Sequence, residues 1–345
     1  MKRKLIIFAT IMAVLLSSGC SAKETQTKEN NKIQEDKLKI GMCFDSFVIE
    51  RWQRDRDVFV QAAKELGAEV NVQNANGDVE EQKKQIDYFI KKDMDVIVIV
   101  CIDSDALSDS VKDAKDAGIK VIAYDRLINN ADIDLYVSFD NEMVGTLMGQ
   151  ALVDNGLSGG SVIMIGGSPT DNNVSLVNNA FMKVMEDNDV GIMDITYCDG
   201  WRAELASDYV YANKEMVSQC DAIMCGNDNL ASQVVSALSV QRMAGEKLVT
   251  GQDADLEACQ RIVEGTQLMT VYKPVEKLAH RAAECAVALG KDEELTGDDI
   301  GTMDNGKADI PYVKLEPIMV TKDNIDETII NSGFHMRDEV YLNVK

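Results

Sequence analysis

Short apolar runs alternate with longer amphipathic stretches along most of this 345-residue chain, and this alternation limits the folds open to it. Helical patterns such as RDVFVQAAKELG and LSDSVKDAKDAG separate most of the apolar runs. Runs that are apolar throughout suit parallel sheets, because helices cover both faces of such sheets. The predicted strands are residues 38–43, 69–73, 96–101, 120–124, 135–139, 161–166, 192–197, 221–225, 247–251 and 268–272.

The number of predicted strands exceeds what one sheet of usual size holds, and the chain is long for a single domain. The sequence therefore predicts an α/β protein with two doubly wound, Rossmann-like parallel-sheet domains. The chain is expected to cross between the domains near Asp140, near 271–273 and near 301–304. The first two crossings follow strands that end where a helix begins, and the third rests on the polar stretch GDDIGTMDNGKAD.

The N-terminal segment predicts export instead of a folded domain. Basic MKRK is followed by LIIFATIMAVLL, which is too short for a typical membrane span, and then by SSGC. We expect a lipoprotein signal peptide over 1–19, cleaved before Cys20, which then carries the lipid. Polar residues follow Cys20, so 20–36 are expected to be the lipidated cysteine and a flexible tether. An ordinary secretory signal with an incidental cysteine is the alternative.

Composition argues against several classes of site. The net charge of −23 repels phosphate backbones and anionic lipids, so nucleic acid is not an expected partner, and the membrane is reached through the lipid anchor only. The sequence contains two histidines, His280 and His335, which argues against a His-rich metal site. Residues 253–264 have the carboxylate spacing of a calcium loop but lack its glycine, and Leu256 and Ile262 favour a helix there.

No catalytic site or cofactor is predicted. The chain has no GxSxG elbow between a strand and a helix, no HExxH or P-loop motif, and no GxGxxG motif that opens a helix. Paired carboxylates would suit a glycosidase, but the acidic residues here alternate with Arg and Asn, which suits binding. The odd number of cysteines beyond Cys20 leaves at least one unpaired, and we expect mostly reduced, structural thiols.

Asp, Asn and Arg follow the predicted strands, and both tryptophans are among these strand-end residues. Parallel α/β sheets bind ligands at the carboxyl ends of their strands. Planar polar groups bind adjacent sugar hydroxyls in pairs, and aromatic rings cover the C–H faces of a sugar. The pattern therefore predicts a sugar site, in which Trp52 stacks on a sugar face while Arg51 donates to its hydroxyls.

Several motifs make the chain similar to a known family. The segments KIGMCFDSFVIERWQRDRDVF, VIAYDRLINNADIDLYVSFDNEMVG, GGSPTDNN, DGW, GQDADL and GTQLMTVYKP resemble the D-xylose-binding proteins of bacterial ABC sugar transporters, from about residue 38 to 335. The resemblance implies the type I periplasmic binding protein fold, with two α/β domains, a three-stranded hinge and a cleft that closes over sugar. The expected domains are 37–140 plus 272–302 and 141–271 plus 303–345.

The resemblance also implies a set of sugar-binding residues: Arg51, Trp52, Asp125, Arg126, Asp171, Asn173, Trp201, Asn227, Asp253 and Lys273. The sequence departs from the family at CFDS, where Ser46 replaces the second of two acidic residues and Phe44 replaces a small one. Phe44 would either add an aromatic wall or fill the core.

Eight of these ten residues also have a structural alternative. The alternatives are an ion pair with Asp55 on the helix surface for Arg51, a core ring for Trp201, a local ion pair for Asp125 with Arg126, helix capping for Asn227, Asp171 and Asn173, and hinge surface for Lys273. The motif context favours the pocket in each case.

Two functions fit the predicted site. The first is delivery of D-xylose or a related monosaccharide to the membrane subunits of an ABC permease, from the outer face of the cell membrane. The second is sensing, in which the sugar-bound form docks on a membrane histidine kinase. Both functions would use the same pocket and the same closure, so the sequence leaves both open.

Overall fold

The structure is a computed structural model that describes residues 37–344. The predicted signal peptide over 1–19, the lipidation site Cys20 and the tether over 20–36 lie outside the described residues. In the part of the chain that the structure describes, no helix is both long enough and apolar enough to cross a membrane.

The described strands form two sheets, and the α/β fold with two parallel-sheet units is confirmed. The first sheet has the order β11-β12-β5-β4-β3-β1-β2, and the second has the order β13-β10-β9-β8-β6-β7. All pairings are parallel except those of β11 with β12 and of β10 with β13. The strands are β1 (Lys39–Phe44), β2 (Glu69–Asn74), β3 (Val96–Ile99), β4 (Lys120–Tyr124), β5 (Leu135–Phe139), β6 (Ser161–Gly166), β7 (Gly191–Tyr197), β8 (Ala222–Cys225), β9 (Leu248–Gln252), β10 (Met269–Tyr272), β11 (Ile300–Asp304), β12 (Asp309–Leu315) and β13 (Ile318–Thr321).

Helices connect most of the strands. They are α1 (Arg51–Glu65), α2 (Val79–Lys91), α3 (Ser108–Asp116), α4 (Asn141–Asp154), α5 (Asn172–Asp187), α6 (Glu204–Ala212), α7 (Lys214–Gln219), α8 (Asp228–Val240), α9 (Leu256–Glu264), α10 (Val275–Gly290) and α11 (Arg337–Val340). Helix α9 lies where the sequence favoured a helix over a calcium loop, and its Ile262 and Val263 are buried.

All ten predicted strands are present, as β1 to β10. The edge strands β2 and β7 have no fully buried side chain, whereas each of the other eight is an apolar run with most of its side chains in the core. Strand β3, for example, is fully buried along its whole length. Strands β11, β12 and β13 were not predicted, because exposed and polar positions interrupt their apolar pattern.

The chain passes between the two sheets three times, and the third passage differs from the expectation. The first lies between β5 and α4, and the second lies between β10 and α10, as predicted. The third was expected at 301–304, but β11 and β12 both join the first sheet, and the chain leaves it between Leu315 and Ile318. The polar stretch taken as a crossing is an edge hairpin. Whether the two sheets belong to domains that move as separate bodies stays a prediction.

The cysteines of the described residues are buried in the core. Each of the seven is free, in keeping with the expected structural thiols. Burial raises the pKa of Cys43 to about 12 and that of Cys198 to about 11. These thiols are therefore protonated and inert at neutral pH.

Helices α4 and α5 pack closely, and this contact fixes the segment from which two predicted site residues project. A Cβ atom added at Gly145 of α4 would lie 2.0 Å from the carbonyl oxygen of Val177 in α5. Backbone atoms on both sides form this contact, so a side chain at Gly145 cannot be accommodated by a rotamer change.

Gly145→Ala is therefore expected to lower the free energy of unfolding by about 1–3 kcal/mol, the usual effect of overpacking. Urea denaturation would measure the loss. Gly301→Ala is the matched control, because no atom lies within 4 Å of the added Cβ at Gly301. Equal stabilities of the two variants would show that α4 and α5 separate without a penalty.

Candidate functional site

A cavity lies between the carboxyl ends of the strands of the two sheets. It is lined by nine of the ten predicted site residues, namely Arg51, Asp125, Arg126, Asp171, Asn173, Trp201, Asn227, Asp253 and Lys273. All of these side chains are buried. The structure therefore brings these residues together, as expected for residues at the carboxyl ends of parallel strands.

Arg51 is the centre of the first cluster of charges. Its Nη1 lies 2.9 Å from Asp125 Oδ2 and 3.9 Å from Asp253 Oδ1. Its Nη2 and Nε donate to the two carboxylate oxygens of Asp55, at 2.9 and 3.1 Å. The ion pair with Asp55 was the alternative to a pocket role, and the structure shows the pair and the cavity position together.

Burial by itself would raise the pKa of the Asp125 carboxyl, but Arg51, Lys273 and Arg126 outweigh it and hold this pKa below its ordinary value. Asp125 is therefore a carboxylate and an acceptor across the physiological range. Burial raises the pKa of Asp55 in spite of Arg51, and Tyr124 also donates its hydroxyl to this carboxylate.

Arg126 is the centre of the second cluster. Its Nη1 lies 2.6 Å from Asp45 Oδ2, and its Nε lies 2.9 Å from Asp171 Oδ2. The same Nη1 also donates to the carbonyl of Cys101 at 3.0 Å. The sequence-based set omitted Asp45, although this residue directly follows β1 and keeps one acid of the CFDS motif. Asp125 and Arg126 pair with other residues, so the local ion pair suggested as their alternative is not formed.

Trp52 does not line the cavity. Its ring packs against both guanidinium groups, with the Cζ atoms of Arg51 and Arg126 at 4.6 and 5.6 Å from the ring centroid. The ring is 2% exposed and belongs to the core together with Phe44, which lies 6.3 Å away and fills core. This geometry supports a role in holding the two arginines by cation–π attraction. Direct stacking of Trp52 on a sugar stays a prediction.

Trp201 lines the cavity and is held from two sides. Its Nε1 donates to Asp171 Oδ2 at 3.2 Å. A Cβ added at Gly167 would lie 2.2 Å from the Trp201 ring, so this position must be glycine for the ring to lie where it does. The backbone φ of Trp201 is 57°, a left-handed conformation that a bulky residue rarely adopts.

Two other cavity residues also have left-handed backbone. Asp125 has φ 63° and Asp253 has φ 97°. Such conformations cost on the order of 1–3 kcal/mol each and cluster at functional sites, because surrounding structure is needed to maintain them. Three strained residues around one cavity support its functional role.

The capping alternatives are correct for two residues that also line the cavity. Asp171 caps α5 by accepting from Asn173 N at 3.0 Å, and Asn227 caps α8 by accepting from Leu230 N at 2.9 Å. Asn173 instead makes a cross-sheet contact, with its Nδ2 donating to the carbonyl of Asp125 at 3.0 Å and its Oδ1 accepting from Tyr136 at 3.2 Å.

Lys273 is buried and does not lie on the hinge surface. Its Nζ lies 3.2 Å from Asp253 Oδ1. The two groups form an ion pair, but their geometry is not that of a hydrogen bond. Gln252 Oε1 and Asn178 Nδ2, which were not predicted, also line the cavity and have no hydrogen-bond partner among the described residues. Buried polar groups are almost always hydrogen-bonded, so these atoms mark the cavity as suited to a polar ligand.

Comparison with known proteins places the chain in a family. The sequence model described as "Periplasmic binding protein domain" matches residues 40–294. The chain belongs to the periplasmic binding protein family. This match and the two curated relatives described next confirm the similarity inferred from the motifs and the expectation of a binding protein instead of an enzyme.

Two curated relatives are similar over most of their length. The D-xylose-binding periplasmic protein of Haemophilus influenzae is 46% identical, over 88% of this chain and 92% of the relative. The protein of the same name from Escherichia coli is 45% identical over 88% and 92%. The crystal structure of an ABC transporter solute-binding protein from Clostridium phytofermentans with bound β-D-glucose has a TM-score of 0.80 at 28% identity, covering 88% of this chain and 99% of that one.

Arg126→Met is expected to destabilise the fold by about 3–5 kcal/mol at neutral pH, because it leaves Asp45 and Asp171 buried without their cation. Burial already raises the pKa of Asp171 even with Arg126 beside it. Removal of Arg126 should raise the pKa of Asp171 further. The destabilisation should be largest above that pKa and should shrink as the pH falls through it, because the Asp171 carboxyl of the folded variant then binds a proton and loses its charge.

Urea denaturation between pH 4 and 8 would measure this difference. Arg202→Met is the matched control, because its side chain is largely exposed and its guanidinium lies 3.9 Å from Glu204. A deficit that is the same at every pH would contradict the assignment to an unpaired carboxylate.

Proposed function

We propose that the chain binds D-xylose or a closely related monosaccharide in the cavity and delivers it to the membrane subunits of an ABC permease. The observation that carries this proposal is the set of buried charged and amide groups from both sheets that line one cavity beside the Trp201 ring. Relatives named D-xylose-binding periplasmic proteins, at 45 and 46% identity, support the choice of sugar.

The chemistry of the cavity fits a sugar with adjacent hydroxyls. Asp125 and Asp253 accept hydrogen bonds, while Arg51 and Lys273 donate them, so one hydroxyl can donate to a carboxylate and accept from a cation. The face of Trp201 offers an apolar surface to sugar C–H groups. No proton is transferred and no bond is broken in this arrangement, which is recognition without catalysis.

Binding is proposed to close the cleft. Arg51 and Asp125 follow strands of the first sheet, whereas Trp201 and Asn227 follow strands of the second. A sugar gains both sets of contacts only when the two sides are together, so it favours that form. The proposed moving bodies are those predicted from the sequence, with the boundary shifted from 302/303 to the passage between Leu315 and Ile318.

The lipid anchor at Cys20 is part of the same proposal. It would hold the protein at the outer face of the cell membrane, where a permease takes up its sugar. Sensing through a membrane histidine kinase stays a prediction as the alternative. Neighbouring genes distinguish the two, because permease and ATPase genes indicate transport whereas kinase and regulator genes indicate sensing.

Titration calorimetry against a panel of pentoses and hexoses is the direct test. D-Xylose is expected to bind, and D-glucose much more weakly, because its additional hydroxymethyl group must fit into a cavity whose walls are buried and in mutual contact. Glucose affinity within a few-fold of xylose affinity would contradict the pentose assignment, while absence of binding by every sugar would contradict the whole proposal.

Asp253→Ala is expected to weaken xylose binding by roughly 2–5 kcal/mol, since it removes a hydroxyl acceptor and leaves Lys273 without its partner. Calorimetry with the variant would measure the loss. Asp208→Ala is the matched control, because Asp208 is exposed on α6. Unchanged affinity of the Asp253 variant would place this residue outside the sugar site.

A further inference from the structure

Two loops from opposite sheets meet at one edge of the cavity. Ser104 lies in the loop after β3 of the first sheet, and Thr170 and Asn172 lie after β6 of the second. Ser104 N donates to the Thr170 carbonyl at 2.9 Å, and Ser104 Oγ accepts from Asn172 N at 3.0 Å. Ser104 is 3% exposed, so these hydrogen bonds are sheltered from water.

Asn172 is the first residue of α5, and its N–H is one of the groups that a helix cannot satisfy internally. The N-cap residue Asp171 accepts from Asn173 N, which leaves Asn172 N for another acceptor. Ser104 of the opposite sheet supplies that acceptor. The beginning of α5 is thus capped from both sides of the cleft, an arrangement that we call the cross-sheet cap.

The cross-sheet cap is directly connected to the sugar site. Asp171, which pairs with Arg126 and accepts from Trp201, precedes Asn172 in the chain. The hydroxyl of Thr170 donates to the Ile102 carbonyl at 3.2 Å. It also lies 3.0 Å from the hydroxyl of Ser168. Loss of the loop contact would therefore release the segment that carries Asp171.

We infer that Ser104 is a positioning residue for sugar binding, which completes the cap of α5 only when the two sides of the cleft are together. It touches no part of the sugar site itself, since it is absent from the cavity lining. Its hydroxyl instead stabilises the closed form and orients Asp171 within it. This inference rests on the proposed function, because it concerns the closure that accompanies sugar binding.

A purely local role for Ser104 is the competing explanation. The Ser104 carbonyl accepts from Asn129 N at 2.8 Å, so the residue also supports its own side of the cleft. That contact uses the backbone and survives replacement of the side chain. On the same side the hydroxyl makes a weak contact with Cys101 Sγ at 4.0 Å, which is much longer than its 3.0 Å hydrogen bond from Asn172 N. A side-chain deletion therefore separates the two roles.

Ser104→Ala is expected to weaken xylose binding about 3- to 30-fold, the range found when a helix cap is removed. The loss should lie in faster dissociation, measured by stopped-flow fluorescence, because the bond forms after the two sides meet. The melting temperature of the sugar-free protein should be unchanged. Ser218→Ala is the matched control, because the Ser218 hydroxyl donates only to Glu215 in its own helix α7.

Thr170→Val provides a second variant, which removes the bond to Ile102 with little change in volume. It should also speed dissociation, and the double variant should lose less than the product of the two single effects, because both act on one contact. The inference would be overturned if Ser104→Ala bound xylose within two-fold of the unaltered protein. It would also be overturned if the variant lowered the melting temperature of the sugar-free protein as much as that of the sugar-bound protein. If the unaltered chain does not bind xylose, the proposed function fails instead.

Discussion

The pairing of buried charges around Arg51 and Arg126 is the interaction on which the rest of this structure depends. Two guanidinium groups and Lys273 are shielded from water at the meeting point of two sheets, and each is tolerable there only because carboxylates surround it. Trp52 packs against both guanidinium groups, so the hydrophobic core and the charge network support each other. The side chains that line the cavity are therefore held by contacts that continue into the core.

Carboxylates outnumber cations in this network, and the surplus has a chemical use. The two clusters contain the carboxylates of Asp45, Asp55, Asp125, Asp171 and Asp253. A neutral ligand rich in hydroxyl groups brings donors to such a site without adding charge. Anionic ligands would meet the surplus carboxylates, so under the proposed function the network that holds the arginines would also select against phosphorylated or acidic sugars.

The sequence predicted the strands correctly wherever the apolar pattern is strong. Runs such as VIVI, KVIAY and SVIMIG mark buried strands directly, and the carboxyl ends of these strands then locate the site. Strand β11 has no such signal, because none of its side chains is fully buried, and so the third passage was misplaced. The position of Trp52 behind the arginines depends on which side of α1 faces the cavity, and residue type alone does not encode that choice.

Asp171 and Asn227 each cap a helix and line the cavity, and this double duty restricts how the binding site can change over evolution. A substitution at either position would alter helix stability and the cavity wall in the same step, so few replacements satisfy both demands. Ile49 and Val174 also line the cavity but contribute only packing. Descendants of this protein that recognise a different sugar are therefore expected to have diverged first at these apolar positions, with the capping residues inherited unchanged.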